Sequence, residues 1–340
     1  MNQWHSRIWA EQFPGGLSAQ SLLLVAPRGS GEADFARTLA KAGLCATPAT
    51  DGLPCGICED CRWFEAGSHP DYRLVDTNTA GDADPEAATA DDAAPAEKAK
   101  RVRALIPIDR IRALEDFMHL VSHRGRARVV VINHADTMNT QAANALLKML
   151  EEPPAGARFI LVTSRPGRLL PTIRSRCIRV TLPGPSRAEA LETLTAMQPA
   201  ESDRAALALD QTGGSPGMVA DLGERFWAIR QLVMPVLSGH DSDWSSLAGK
   251  TTDVELPTLL HLLQTWCFDL MSARLAGTVR YHTDLRQEAT VVSRRIDPIE
   301  LCRYESRLRS ARRLIDHPLN PRLFAEDLLL DYSRLAGAAA

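Results

Sequence analysis

The 340-residue chain has no run of about 18 consecutive apolar residues, so nothing in it reads as a membrane-spanning helix. It also has no excess of basic charge. Its formal net charge of -3 excludes a surface that is basic throughout, of the kind that binds nucleic acid without help. That average hides an uneven distribution: residues 76–100 carry seven acidic side chains and two lysines, about -5, so the remainder stands near +2 and local DNA contact stays open. Met1 to Phe13 lacks the basic start and apolar stretch of a signal peptide, and a cytoplasmic protein is expected. In that compartment the seven cysteines are not expected to form disulfides.

What is present is ordered in a recognisable way. Four short apolar runs, Leu22–Val25, Tyr72–Val75, Val129–Ile132 and Phe159–Val162, lie apart from one another, and a weaker fifth covers Ile178–Val180. Apolar runs without alternation, spaced by helical stretches, predict a parallel sheet covered on both faces. Between the third and fourth runs, Ala143, Leu146, Leu147 and Leu150 fall at helical spacing. Asn139 or Thr140 can cap that helix, and Pro153-Pro154 must end it. Residues 76–104, rich in Ala, Asp, Glu, Thr and Pro, are expected to be a disordered insertion. After Pro183 the strand signals stop, and Ser186-x-x-Glu189 makes a capping box that opens an all-helical remainder. There Leu301, Tyr304, Leu308, Ala311 and Ile315 keep a seven-residue rhythm, expected of a packed helix face.

The first strand runs into Ala26-Pro27-Arg28-Gly29-Ser30-Gly31-Glu32-Ala33, the frame of a phosphate-binding loop between strand and helix. Its decisive positions are changed. Glu32 stands where a lysine would meet the β- and γ-phosphates, Ala33 where a hydroxyl would hold magnesium, and Ala26 where the first glycine belongs. A carboxylate facing a nucleoside triphosphate is repulsive. After the third strand an ATPase of this kind would carry a carboxylate pair, and here Asn133-His134-Ala135-Asp136 follows. His134 is expected to be an ordinary polar residue at a strand end. A degenerate loop with Gly29, Gly31, Glu32 and Ala33, and no bound ATP, is therefore the reading.

Cys45, Cys55, Cys58 and Cys61 are spaced C-x9-C-x2-C-x2-C around a Gly-Pro-containing turn. Four thiolates suit a tetrahedral structural zinc ion with no open position for chemistry. A redox pair at Cys55-x-x-Cys58 is the lesser alternative. Cys177, Cys267 and Cys302 are expected to be buried or half-buried thiols.

Residues 139–154, NTQAANALLKMLEEPP, the following FILVTSRPGRLLPTIRSRC, and the earlier CGICEDCRWFEAGSHPDY closely resemble the clamp-loader family of AAA+ proteins that serve bacterial DNA polymerase III. The likeness covers about residues 20–220, and NPRLFAEDLLLDY looks like the end of the same family. Within the family, the degraded loop and Asn133-His134 fit the delta-prime branch and not the ATP-hydrolysing gamma/tau subunit. The resemblance implies a RecA-like AAA+ domain at 1–182, with a five-stranded parallel sheet and a zinc module at 45–61. A small three-helix lid at 183–224 and a helical collar domain at 225–340 would follow. It further implies partnership with gamma/tau and delta subunits, a sliding clamp and primed DNA. In the family Ser175-Arg176-Cys177 presents its arginine to ATP held by the neighbouring subunit, while Gly217 stands where an active member has a nucleotide-sensing arginine. No intrinsic ATPase is expected, although the assembly belongs to a DNA-directed DNA polymerase, a nucleotidyltransferase. An active AAA+ ATPase with unusual motifs, or a zinc-dependent nucleic-acid-binding module, are the competing readings.

Overall fold

A computed structural model describes residues 2–77, 105–119, 122, 127–197, 202–239, 255–315 and 320–337. The chain separates into two compact units, Met1–Pro185 and Ser186–Ala340.

In the first unit, five strands form one parallel sheet: β1 (Ser21–Val25), β2 (Tyr72–Val75), β3 (Arg128–Ile132), β4 (Ala157–Thr163) and β5 (Ile178–Thr181). Their order is β2-β3-β4-β1-β5. The register pairs Leu22 with Ile160 and with Ile178, and Val130 with Phe159. Because side chains alternate across a strand, Leu23, Val25, Val130, Ile132, Phe159 and Leu161 face one layer of helices. Leu22, Leu24, Val129, Val131, Ile160 and Val162 face the other. Both layers are apolar, which is why these strands read as unbroken hydrophobic runs.

Helices α1 (Gln3–Gln12), α2 (Glu32–Leu44) and α3 (Glu59–Glu65) contribute to one layer. Helices α4 (Ile108–His119), α5 (Thr140–Glu151) and α6 (Pro171–Arg176) cover the other. For α5 the sequence pattern and the structure agree closely. Asn139 accepts a hydrogen bond from the Ala142 amide at 2.7 Å, and Ala143, Leu146 and Leu150 are buried with Ala142 and Met149. The expected insertion differs at its start: Asp76 and Thr77 are ordered, and residues 78–104 lie outside the described residues.

The second unit is helical: α7 (Arg187–Met197), α8 (Ser202–Gln211), α9 (Glu224–Leu237), α10 (Leu256–Ala276), α11 (Arg286–Arg295), α12 (Pro298–Leu314) and α13 (Pro321–Gly337). The capping box forms as read, with the Ser186 amide donating to Glu189 Oε2 at 2.7 Å and the Glu189 amide to Ser186 Oγ at 3.3 Å. Helices α7 and α8 share a small cluster of their own, completed by a 3-10 turn over Pro216–Asp221. Helix α10 is the centre of the larger cluster, buried through Leu259, Leu263, Trp266 and Leu270. Leu301, Tyr304, Leu308 and Ala311 of α12 pack against it, so the heptad rhythm marks an internal face.

Candidate functional site

In an open parallel sheet the ligand crevice lies beyond the carboxyl ends of the strands. Here Arg28, Glu32, Ala33, His134, Thr163 and Ser164 line a small crevice beyond β1, β3 and β4. The loop after β1 has the backbone of a phosphate cradle: Gly29 and Gly31 sit at φ of 74° and 87°, where a side chain would be strained, and α2 begins at once. That cradle already holds an anion. Glu32 Oε1 accepts a hydrogen bond from the Gly29 amide at 3.0 Å, and Ser30 Oγ lies 3.5 Å from Glu32 Oε2. A carboxylate in the first turn of α2 is favoured by the helix dipole, so the position that repels phosphate also stabilises the loop without it.

Helix α1 closes the loop from above. A Cβ placed on Gly31 would lie 1.8 Å from the Asn2 amide nitrogen, and Trp4 Nε1 donates to the Ser30 carbonyl at 2.8 Å. His5 is fully buried against Phe35, with ring centroids 5.3 Å apart, and burial lowers its pKa.

Beyond β3 the structure departs from the reading of His134 as an ordinary polar residue. His134 is the one non-glycine residue among the described residues with positive φ, at 51°. Its Nδ1 lies 3.2 Å from Asp76 Oδ1, and Asn133 Nδ2 donates to Asp76 Oδ2 at 3.0 Å. Burial works to raise the Asp76 pKa, yet the contacts from His134 and Asn133 outweigh it and hold the carboxyl below its ordinary range. A second carboxylate, Asp136, accepts from Thr163 Oγ1 at 2.8 Å and pairs with Arg165 at 3.0 Å. Neither Asp76 nor Asp136 is suggested as a partner by local sequence. They meet these residues only because β2, β3 and β4 are neighbours, with their ends at one level.

Arg176 is the last residue of α6, which leads into the edge strand β5. Its side chain is about one third exposed, 2.6 Å from Glu151 Oε1, and it also donates to the Thr172 carbonyl at 3.0 Å. It is not among the residues that line the crevice of its own chain.

The four cysteines converge. Cys45 caps the C-terminus of α2 and Cys58 the N-terminus of α3, so two helix ends and the turn between them place the sulfurs. All four sulfur atoms lie within 4.8 Å of one another. Cys45 Sγ is 3.6 Å from Cys55 Sγ and 3.8 Å from Cys58 Sγ, and Cys55 Sγ is 4.0 Å from Cys61 Sγ. Four sulfurs held about 2.3 Å from one ion in a tetrahedron are separated by about 3.8 Å, so the set fits a bound metal ion. Backbone amides of Cys55, Cys58 and Cys61 each donate to a neighbouring sulfur at 3.4 Å, which favours the thiolate form. Burial pushes the Cys45 and Cys61 thiols up, while a hydrogen bond from Thr47 and nearby amides bring Cys55 down to about 6. Of the other three cysteines, Cys177 and Cys267 are buried, but Cys302 is exposed, contrary to expectation. It follows Leu301 on α12 and so points off the packed face.

A five-stranded parallel α/β domain whose phosphate loop is filled by its own carboxylate, with a four-cysteine module and a separate helical unit, is the class that this fold and site define. The sequence profile described as DNA polymerase III, delta subunit, matches residues 2–186. DNA polymerase III subunit delta' of Pseudomonas aeruginosa is 32% identical over 281 residues, covering 80% of this chain and 77% of that protein. The Escherichia coli subunit delta' is 32% identical over 263 residues, covering 76% and 72%. DNA polymerase III subunit tau of Salmonella typhimurium is 35% identical over 155 residues, 46% of this chain but 20% of its own length. The chain belongs to the DNA polymerase III delta-prime family.

Proposed function

We propose that the chain is a non-hydrolysing subunit of a DNA polymerase III clamp loader. In this role it assembles with gamma/tau and delta subunits, helps place a sliding clamp on primed DNA, and offers Arg176 to ATP held by its neighbour. One observation carries the reading: the Gly29 amide, which would bind phosphate in an ATPase, is bonded to the chain's own Glu32 carboxylate at 3.0 Å. Ala33 stands at the magnesium position, and Asn133-His134 follows β3 where an ATPase of this kind would carry a carboxylate pair. The chain's contribution is then made through its surfaces.

Arg176 supports the second half of the proposal by its place and chemistry. A guanidinium stays charged at every working pH and can bond two phosphate oxygens at once. In other phosphoryl-transfer systems an arginine supplied in trans is worth about 10³- to 10⁵-fold in rate. The helical domain from residue 225 would act as the collar, and the ion in the cysteine module would be structural zinc, orienting α3 against α2 without taking part in any reaction.

Reconstitution tests this. With Arg176→Ala, the chain should fold and enter the complex, while clamp- and DNA-stimulated ATP turnover falls at the site it serves. Arg176→Lys should recover little, because a point charge lacks the two-bonded fork. Wild-type ATPase and clamp-loading rates with Arg176→Ala would overturn the proposal.

A further inference from the structure

Arg176 does not project freely. Its two terminal nitrogens are each engaged, one with the Thr172 carbonyl at 3.0 Å and the other with Glu151 Oε1 at 2.6 Å. Thr172 lies one turn back on the same helix, so that bond only returns the side chain to α6. Glu151 belongs to a different element, the last residue of α5, which packs on α6. A carboxylate at a helix C-terminus faces the unpaired carbonyls and is electrostatically misplaced there unless a cation joins it. Lys148 is the basic residue of that last turn, yet Glu151 pairs with Arg176.

We infer that Glu151 is a positioning residue for Arg176, fixing the guanidinium so that its remaining donors face outward for a phosphate on the adjacent subunit. A guanidinium has five N–H donors in a rigid plane, and the two contacts engage one donor on each terminal nitrogen. Three donors remain for a polyphosphate. Orienting the plane beforehand removes rotamer freedom that would otherwise be lost when the phosphate is met. Both partners are substantially exposed, with side chains 35% and 49% accessible, so the pair adds little to the fold itself. Its effect is expected where orientation matters. This inference rests on the proposed role of Arg176.

The test is a double-mutant cycle in the reconstituted loader, reading stimulated ATP turnover, KM for ATP, and assembly by gel filtration. Glu151→Ala should lower kcat about three- to tenfold, within the range of coupling found for contacting residues, and change KM less. Glu151→Asp, which keeps the charge, should recover part of the loss. In an Arg176→Ala background, Glu151→Ala should cost nothing further, because its action runs through that arginine. The melting temperature of the isolated chain should stay within about 2 °C of wild type. If Arg176→Ala lowers turnover but Glu151→Ala does not, or if the two losses multiply, the inference fails while the role of Arg176 stands. If Arg176→Ala itself has no effect, the proposed function fails first.

Discussion

Glu32 Oε1 accepts a hydrogen bond from the Gly29 amide at 3.0 Å, so the loop binds a side chain of its own chain at the place of a phosphate. A ligand would have to displace that carboxylate and then sit beside it. ATP binding by the isolated chain should therefore be no tighter than about millimolar, given the repulsion at short range. Isothermal titration calorimetry with and without magnesium measures it directly, and a micromolar, magnesium-dependent site would contradict the filled-loop reading.

The sulfur geometry predicts one tightly held zinc ion per chain purified without chelator, measured by elemental analysis. Cys58→Ser should lose it, and chelation should lower the melting temperature, since binding energy at such a site contributes to folding. A full equivalent retained by Cys58→Ser would remove that residue from the ligand set.

In the metal-stripped protein at pH 7 the cysteines should differ in reactivity. Cys55, brought down to about 6 and half-buried, is largely thiolate, whereas burial keeps Cys45 and Cys61 protonated. Alkylation followed by mass spectrometry should mark Cys55 before Cys45 or Cys61, and zinc should protect it.

His282 gives the second unit a dependence on pH. The ring is fully buried, with Nε2 3.1 Å from Thr265 Oγ1, and burial, aided by Arg230 and His261, pushes its pKa down to about 3. The unfolded chain takes up a proton near pH 6.5 that the folded chain refuses until far lower pH. Stability should thus be level above about pH 7 and fall as pH drops from about 6.5 towards 3. His261, also lowered by burial, acts in the same direction. Melting curves at pH 7 and pH 5 should show a smaller drop for His282→Gln than for wild type. Equal drops would place the effect elsewhere.

Tyr332 joins two parts of the helical core. Its hydroxyl accepts from Trp266 Nε1 at 2.7 Å and donates to the Leu237 carbonyl at 3.0 Å, with all the side-chain atoms buried. Tyr332→Phe leaves a buried donor and acceptor without that partner and should cost about 1–3 kcal/mol, read from urea unfolding. A change below about 0.5 kcal/mol would mean that the pair finds other partners.

The fold was legible because its determinants are local. Alternate strand residues facing two apolar layers turn β1, β3 and β4 into continuous hydrophobic runs, and α5 carries both its Asn139 cap and its stop at Pro153 within sixteen residues. The changed phosphate loop and the cysteine set could likewise be found from residue type and spacing, whereas Arg176 is singled out only by the resemblance of Ser175-Arg176-Cys177 to the family motif. What the sequence alone could not decide are the contacts between residues far apart in the chain. Asp76 meets Asn133 and His134 across more than fifty positions, because β2 and β3 are neighbours in register. Asp136 meets Thr163 for the same reason at the ends of β3 and β4. Glu151 reaches Arg176 only through the packing of α5 on α6. Even the use of Glu32 was half legible: its charge opposes a bound phosphate, but only the folded loop, with Gly29 and Gly31 at positive φ, turns an amide towards it. Composition and periodicity act over a few residues, whereas these pairings exist only once the sheet order has brought the strand ends together.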